Sequence, residues 1–139
     1  MKKNITHDIP YPVRIFCWLL ILAGSFFFYV YTFNPGIVFP DANLDLYSAK
    51  LGFSSAGVRI LSSVIALAVS LLCNKPQWLF ITLISRVFIE LGDLLIGLIL
   101  DGPTPNTYTL LVLAALELWA ISRLYYIITS SYGNSDQNR

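Results

Sequence analysis

The distribution of apolar residues along the chain predicts four long helices separated by short polar segments. Apolar residues dominate four stretches, at about residues 13–33, 51–73, 78–100 and 107–129. A helix needs about 20 predominantly apolar residues to cross a bilayer, and each stretch is that long. Between the stretches lie prolines, glycines and asparagines, which favour turns. The pattern therefore predicts an all-α, integral membrane protein with four spans.

Short connections between the stretches predict how the helices neighbour one another. Residues 74–76 form the link between the second and third stretches, and residues 101–106 the link between the third and fourth. Connections of this length place consecutive helices side by side in opposite directions. We therefore expect a single domain over residues 1–139, folded as an antiparallel four-helix bundle. The polar tail from Ser130 onward is expected to be disordered and so to lie outside the last helix.

Basic residues outside the spans predict the orientation of the bundle. One side of the expected membrane carries Lys2, Lys3, Arg14, Lys75 and Arg139. The opposite side carries only Lys50, together with Asp41, Asp45 and Asp101. Since lysine and arginine are enriched in cytoplasmic segments, both termini are predicted to be cytoplasmic and the protein to be a multi-pass protein of the plasma membrane.

Composition supports a membrane protein and narrows its chemistry. The 139 residues are 56% hydrophobic and 12% charged, whereas a soluble domain has about 25% charged residues. The formal net charge of +1 gives no indication of a nucleic-acid partner. His7 is the only histidine, and Cys17 and Cys73 form no Cys-x-x-Cys pair. We therefore expect no metal and no cofactor, and the lipid bilayer is the first partner.

Three charged residues interrupt the third apolar stretch. Arg86, Glu90 and Asp93 follow one another at i, i+4 and i+7, which places them on one face of a helix. A charge near the bilayer centre costs at least ~2.5–3.5 kcal/mol on insertion scales, so such residues face protein or water and have partners. The third span is therefore predicted to carry a polar cluster.

The depth of each charge follows from the helical rise of about 1.5 Å per residue. This estimate places Arg59 roughly 4–5 Å and Asp93 roughly 6 Å on the outer side of the membrane centre. Glu90 and Glu117 come near the centre, and Arg86 roughly 4–5 Å on the inner side. The five charges are therefore predicted to meet in one polar cluster. Together they sum to −1, so one proton on a carboxyl group would make the cluster neutral.

Arg59 lies on a stripe of small residues in the second stretch. The stripe, spaced by three and four, consists of Gly52, Ala56, Arg59, Ser63, Ala66 and Ser70. Small residues at this spacing allow membrane helices to approach closely. The stripe therefore predicts that Arg59 faces the interior of the bundle.

Two interpretations of the polar cluster remain open at this point. In the first, the arginines are neutralised by carboxylates, and the network sets the rotation and register of the helices. In the second, the same region holds a ligand or a titrating carboxyl group, and Glu90 and Glu117 are the pair expected to share a proton. Asp101 is first of all part of a turn, although it could also cap an outward-facing cavity.

Several short motifs resemble a known group of proteins. They are Gly57-Val58-Arg59, Arg86, Asp101-Gly102-Pro103 and Leu116-Glu117-Leu118. In this order the chain resembles the small four-helix DoxX-like bacterial membrane proteins, in particular an uncharacterised family. The resemblance implies a bacterial inner-membrane protein with a polar set of Arg59, Arg86, Asp101 and Glu117. The chain departs from the family pattern by having Ser85 before Arg86 in place of glycine, and by adding Glu90 and Asp93.

Two function classes follow from these observations. The first is a non-enzymatic membrane protein, either an accessory subunit or a binder of a lipophilic small molecule, whose polar cluster forms the floor of an outward-opening cavity. Its partners would be a lipophilic molecule, a membrane protein or a second copy of the chain. The alternative is a small membrane enzyme that uses Glu90 or Glu117 as a general acid or base on a quinone, sterol-like or isoprenoid substrate.

Overall fold

Helices are the only regular secondary structure in the described part of the chain. The computed structural model describes residues 8–38, 45–100 and 102–136. The long helices are α1 (Tyr11–Phe33), α2 (Tyr47–Leu72), α3 (Pro76–Leu100) and α4 (Pro105–Asp136), and a short 3-10 helix covers Pro35–Ile37. The predicted all-α class with four long helices is confirmed.

Three of the four helices are long and apolar enough to cross a membrane. They are α1, α2 and the part of α4 from Thr107 to Ser130. The 25-residue helix α3 is also long enough, but Arg86, Glu90 and Asp93 interrupt its apolar sequence. The membrane character expected from the sequence is therefore supported for three of the four predicted spans, and α3 as a fourth span stays a prediction.

Two helix boundaries differ from the sequence-based expectation. Helix α2 begins at Tyr47, four residues before the apolar stretch. Helix α4 continues past Ser130 to Asp136, although the polar residues there were expected to lie outside it. Neither extension contains a proline, and Gly133 is the only glycine in them. A helix that is already formed gains one hydrogen bond for each residue it adds, so it can extend beyond its apolar part.

The described residues form two compact units. The first unit contains the residues up to Arg14 and those from Ser70 onward, and the second contains Ile15–Val69. In the first unit α3 packs against α4. Its buried apolar side chains include Leu79, Leu83, Val87, Ala120 and Leu124. The three from α3 recur every four residues, so one face of this helix forms the core.

The second unit brings the backbones of α1 and α2 close together. A Cβ atom on Gly24 would lie 2.6 Å from Val64 Cγ2, and one on Gly57 would overlap the Thr32 hydroxyl. Glycine is therefore needed at both places for close approach, as in many membrane helix pairs. The prediction of one domain over residues 1–139 is not tested by this division and stays a prediction.

The turn before α3 holds the segment that leads into α1. Asn74 has φ = 49°, in the left-handed region. Its Oδ1 accepts hydrogen bonds from Arg14 Nη2 at 2.8 Å and from the Ile9 backbone N–H at 3.4 Å. Its Nδ2 donates to Asp8 Oδ1. A single side chain thus links the turn to residues 60 or more positions away in sequence.

Candidate functional site

Arg86 lies where α3 meets α4 and contacts two carboxylates. Its Nε donates to Glu117 Oε1 at 2.7 Å, and its Nη2 donates to Glu90 Oε1 at 2.8 Å. Glu90 lies one turn further along α3, and Glu117 projects from α4. The planar guanidinium therefore holds the two carboxyl groups on neighbouring nitrogens. We call Arg86, Glu90 and Glu117 the Arg86 cluster.

The Arg86 cluster is positioned by the buried face of α3. Leu83 and Val87 are buried one turn apart, and Glu90 continues this face. Arg86 precedes Val87 and reaches toward α4 from the edge of the face. Because i and i+4 are neighbours on a helix, Arg86 and Glu90 are brought together by α3 alone. Glu117 joins them only through the packing of α4.

Burial makes the pairing within the cluster energetically important. The exposed fraction is 0% for Glu117 and 7% for Glu90, and 14% for the Arg86 side chain. A buried charge without a partner is costly, so the two ion pairs are needed to hold the charges there. With both carboxyl groups ionised, the cluster carries a charge of −1.

Each carboxyl group of the cluster has one oxygen left over. Glu90 Oε2 and Glu117 Oε2 are buried and have no hydrogen-bond partner among the described residues. Buried polar atoms in proteins are nearly always paired, with protein or with something bound to it. The two oxygens can be satisfied by a proton held between the carboxyl groups or by a hydrogen-bond donor on a bound molecule. The cluster thus offers acceptors in a site with little access to water.

The other residues predicted from the sequence lie elsewhere or outside the described residues. Asp93 is half-buried on α3, three residues beyond Glu90. Arg59 belongs to α2 in the second unit. Asp101 is outside the described residues. The structure therefore joins Arg86, Glu90 and Glu117, and a common cluster with Arg59, Asp93 and Asp101 stays a prediction.

The Arg59 side chain is exposed in the structure, and the prediction that it faces the interior of the bundle stays a prediction. The buried side chains of α2 include Val64, Leu67 and Leu71. At 100° per residue, Arg59 lies roughly 80° around the helix axis from Leu67. The stripe of small residues therefore passes from the exposed side of the helix, at Gly52 and Arg59, to the buried side at Ser70.

Sequence reasoning missed a groove in the first unit. A groove of about 270 Å³ is lined by Pro10, Pro12, Val13, Trp119, Arg123, Tyr126 and Ile127. The four residues from α4 follow at i, i+4, i+7 and i+8, so the sequence indicates that they share one helix face. Their contact with the prolines near residue 10 depends on tertiary packing. We call this site the Arg123 groove, and no member of the Arg86 cluster lines it.

Neither a group of metal-binding side chains in the described residues nor a match to a known protein adds to the description of the site. Within residues 8–38, 45–100 and 102–136, no three His, Cys, Asp or Glu side chains are grouped so that they could hold a metal ion. Comparison of the chain with protein-family models, curated proteins and solved structures finds no match. The DoxX-like resemblance therefore stays a prediction.

Proposed function

We propose that this protein is a small multi-pass membrane protein that binds a lipophilic molecule at the Arg86 cluster without catalysing a reaction on it. The observation that carries the proposal is the pair of buried oxygens, Glu90 Oε2 and Glu117 Oε2, that lack hydrogen-bond partners. A lipophilic molecule with a hydroxyl or N–H group can donate to them. Since the cluster is negative and buried, it selects for a donor group and against an anionic one.

The exposed face of α3 supports its role as a fourth span. Ile81, Phe88, Leu95 and Ile99 are all exposed, Phe88 to 72%. Their spacing of seven, seven and four residues places them on one helix face. A long exposed apolar stripe fits contact with lipid, while the charges of Arg86 and Glu90 are turned toward α4. Four spans are therefore proposed, with α3 among them.

The proposed topology has antiparallel spans and cytoplasmic termini. The Phe80 ring packs against Tyr125, and further along α3 Arg86 pairs with Glu117. The later of the two α3 residues therefore contacts the earlier of the two α4 residues, which supports an antiparallel pair. The basic residues Arg14 and Lys75 mark the proposed cytoplasmic side. A bacterial inner-membrane location rests on the DoxX-like resemblance.

A second candidate function is a small membrane enzyme. Two carboxyl groups held on one guanidinium can keep a proton between them, and a carboxyl group placed in this way can act as a general acid or base. The substrate would be a quinone, a sterol-like molecule or an isoprenoid. This candidate requires turnover of the bound molecule that depends on pH and is lost in both Glu90→Gln and Glu117→Gln.

Native mass spectrometry of the full chain, extracted gently from its own membrane, tests the proposal. The wild type is expected to carry one discrete small molecule. Glu90→Gln and Glu117→Gln are expected to lose it, because each replaces an acceptor oxygen by an amide that can also donate. Ser122→Ala is a matched control on α4, since its exposed hydroxyl donates to Leu118 O of the same helix.

The outcomes separate ligand binding from a structural role. A small molecule that is present in the wild type and in Ser122→Ala, and absent from the glutamine variants, supports the proposal. A stoichiometric protein partner with no small molecule makes the chain an accessory subunit. The ion pairs of the Arg86 cluster then serve to fix the packing of α3 on α4. A small molecule that persists in both glutamine variants contradicts binding at this cluster.

A further inference from the structure

The Arg123 groove combines an apolar floor with a single cation. Its lining is formed by two prolines, Val13, Trp119, Tyr126 and Ile127, all apolar or amphipathic, and by Arg123. At about 270 Å³ it lies below the roughly 300–1,000 Å³ of sites that enclose drug-sized ligands. A groove of this size holds part of one flexible apolar chain. The guanidinium beside it suits an anionic group on the same molecule.

The position of Arg123 along α4 places this cation near a membrane surface, on the proposed topology. The candidate span Thr107–Ser130 has 24 residues, roughly 36 Å at 1.5 Å per residue. Since the hydrocarbon core is about 30 Å thick, the span extends roughly 3 Å beyond it at each end. Arg123 precedes Ser130 by seven residues, so its backbone lies roughly 7–8 Å inside the core boundary, and a long side chain there brings its guanidinium to that boundary by snorkelling. Trp119, one turn deeper, stays among the acyl chains.

Charges on neighbouring residues favour a negative headgroup. Arg14 follows Val13 of the groove directly, and its Nη2 is tied to Asn74. The acidic residue close to it is Asp8, which accepts from the same Asn74. Arg14 and Arg123 together outweigh Asp8, so this end of the first unit is positive. Anionic lipids are attracted to basic residues at a membrane surface.

We infer that the Arg123 groove binds one anionic phospholipid, with an acyl chain along Trp119 and the phosphate on the Arg123 guanidinium. The inference rests on the membrane placement proposed above but is independent of a ligand at the Arg86 cluster. The lipid completes a surface on which the start of α1 and the second half of α4 are held together. Bilayer lipid is therefore a specific ligand as well as the solvent of this protein.

The test measures lipid binding by the full chain in a neutral detergent. Phosphatidylglycerol and phosphatidylcholine with identical acyl chains are titrated separately, and bound lipid is counted by native mass spectrometry. Arg123→Gln removes the cation, and Arg123→Lys restores a charge. Lys75→Gln is the matched control, because it removes the same charge from an exposed turn that does not line the groove. Unfolding temperatures verify that each variant is folded.

Trp119 reports directly on the acyl chain. In a Trp18→Phe, Trp78→Phe background it is the remaining tryptophan of three. Phosphatidylglycerol with brominated acyl chains is expected to quench its fluorescence at low lipid ratios. Pro12→Phe places a ring in the groove from an exposed position, so it is expected to abolish the tight phase of quenching while leaving Arg123 in place.

The expected result is one tightly bound phosphatidylglycerol and a clear preference over phosphatidylcholine. Arg123→Gln is expected to weaken phosphatidylglycerol binding roughly fivefold to tenfold, Arg123→Lys less, and Lys75→Gln hardly at all. Equal losses of phosphatidylglycerol binding in Arg123→Gln and Lys75→Gln would show that only net charge matters. That result would overturn the assignment of the lipid to this groove. Quenching that survives Pro12→Phe also overturns it.

The result distinguishes this inference from the proposed function. A chain that floats with vesicles but shows no lipid preference overturns only the Arg123 groove assignment. Loss of the small molecule in Glu117→Gln with an unchanged phosphatidylglycerol preference supports both proposals as separate sites. A chain that does not float with vesicles overturns the membrane placement on which both depend.

Discussion

Arg86 and Glu117 form an ion pair, with Nε and Oε1 2.7 Å apart, that joins the middle of α3 to the middle of α4. The pair is not isolated, since the same guanidinium also binds Glu90. One cation therefore serves two buried acids. Replacing the three residues is expected to have unequal effects on stability. Loss of the Arg86 cation leaves two carboxyl groups together, whereas loss of either glutamate leaves one ion pair.

Arg86→Gln is expected to destabilise the protein far more than Glu117→Gln. Breaking a buried ion pair so that a charge remains uncompensated costs about 3–5 kcal/mol. Glu117→Gln keeps an amide oxygen that can accept from Arg86 Nε and leaves the Arg86–Glu90 pair intact, so its cost is expected to be about 1 kcal/mol. Unfolding of purified protein in detergent by added denaturant measures both free energies.

A fully neutral variant provides the control for this order. Arg86→Met combined with Glu90→Gln and Glu117→Gln removes all three charges with little change in volume. It is expected to recover most of the stability lost in Arg86→Gln, because no buried charge is left unpaired. Equal destabilisation in Arg86→Gln and Glu117→Gln would contradict the shared-cation geometry.

Gly57→Ala is expected to lower the free energy of unfolding, whereas Gly52→Ala is not. A Cβ atom at Gly57 overlaps Thr32 Oγ1, but one at Gly52 meets no atom within 4 Å. Overpacking of this kind costs about 1–3 kcal/mol. In Gly52→Ala the better helix propensity of alanine is expected to stabilise α2 by up to about 1 kcal/mol. The two variants lie on one helix and differ only in what the new methyl group meets.

Thr32→Ala is expected to rescue Gly57→Ala. The Thr32 hydroxyl is buried without a hydrogen-bond partner among the described residues, so its removal costs little by itself and makes room for the added methyl group. The thermal unfolding temperature of the double variant should return close to that of Thr32→Ala. A double variant as unstable as Gly57→Ala would show that the clash lies elsewhere.

Cys73 is expected to react with a membrane-impermeant maleimide only from the cytoplasmic side. Its side chain is exposed in the turn after α2, whereas Cys17 is buried and should remain silent. Inverted membrane vesicles should therefore be labelled, and intact spheroplasts should not. In a Cys73→Ser background, Pro103→Cys, in the turn before α4, should show the reverse. Labelling of Cys73 in intact spheroplasts would place the termini outside.

Asn74→Ala is expected to be less stable than Asn74→Gly, although both lose the same side-chain hydrogen bonds. The residue has φ = 49°, a conformation that costs roughly 1–2 kcal/mol with a Cβ atom and little for glycine. The difference between the two unfolding free energies isolates the backbone contribution. Hydrogen exchange at Ile9, whose N–H bonds to Asn74 Oδ1, should accelerate in both. Similar stabilities of the two variants would rule out a strained turn.

The sequence by itself determined the helices and their approximate ends. Apolar stretches bounded by Pro35, Pro76 and Pro105 mark the elements because proline cannot continue a helix from within and glycine favours turns. Depth along each helix also follows from the sequence, since the rise per residue is constant. Arg86, Glu90 and Glu117 were placed at similar levels on that basis alone.

Only the tertiary structure decided which side chains of different helices meet. Contact requires the rotation of each helix about its axis, and rotation is set by packing partners that are distant in sequence. Leu67 and its neighbours turn the buried face of α2 so that Arg59 is exposed. The packing of α4 on α3 brings Glu117 to Arg86, and it leaves one oxygen on each acid without a partner. The sequence pattern gives the depth and the helical periodicity of each residue. The pairing of buried charges between helices depends on the rotation of each helix about its axis, which only the folded chain determines.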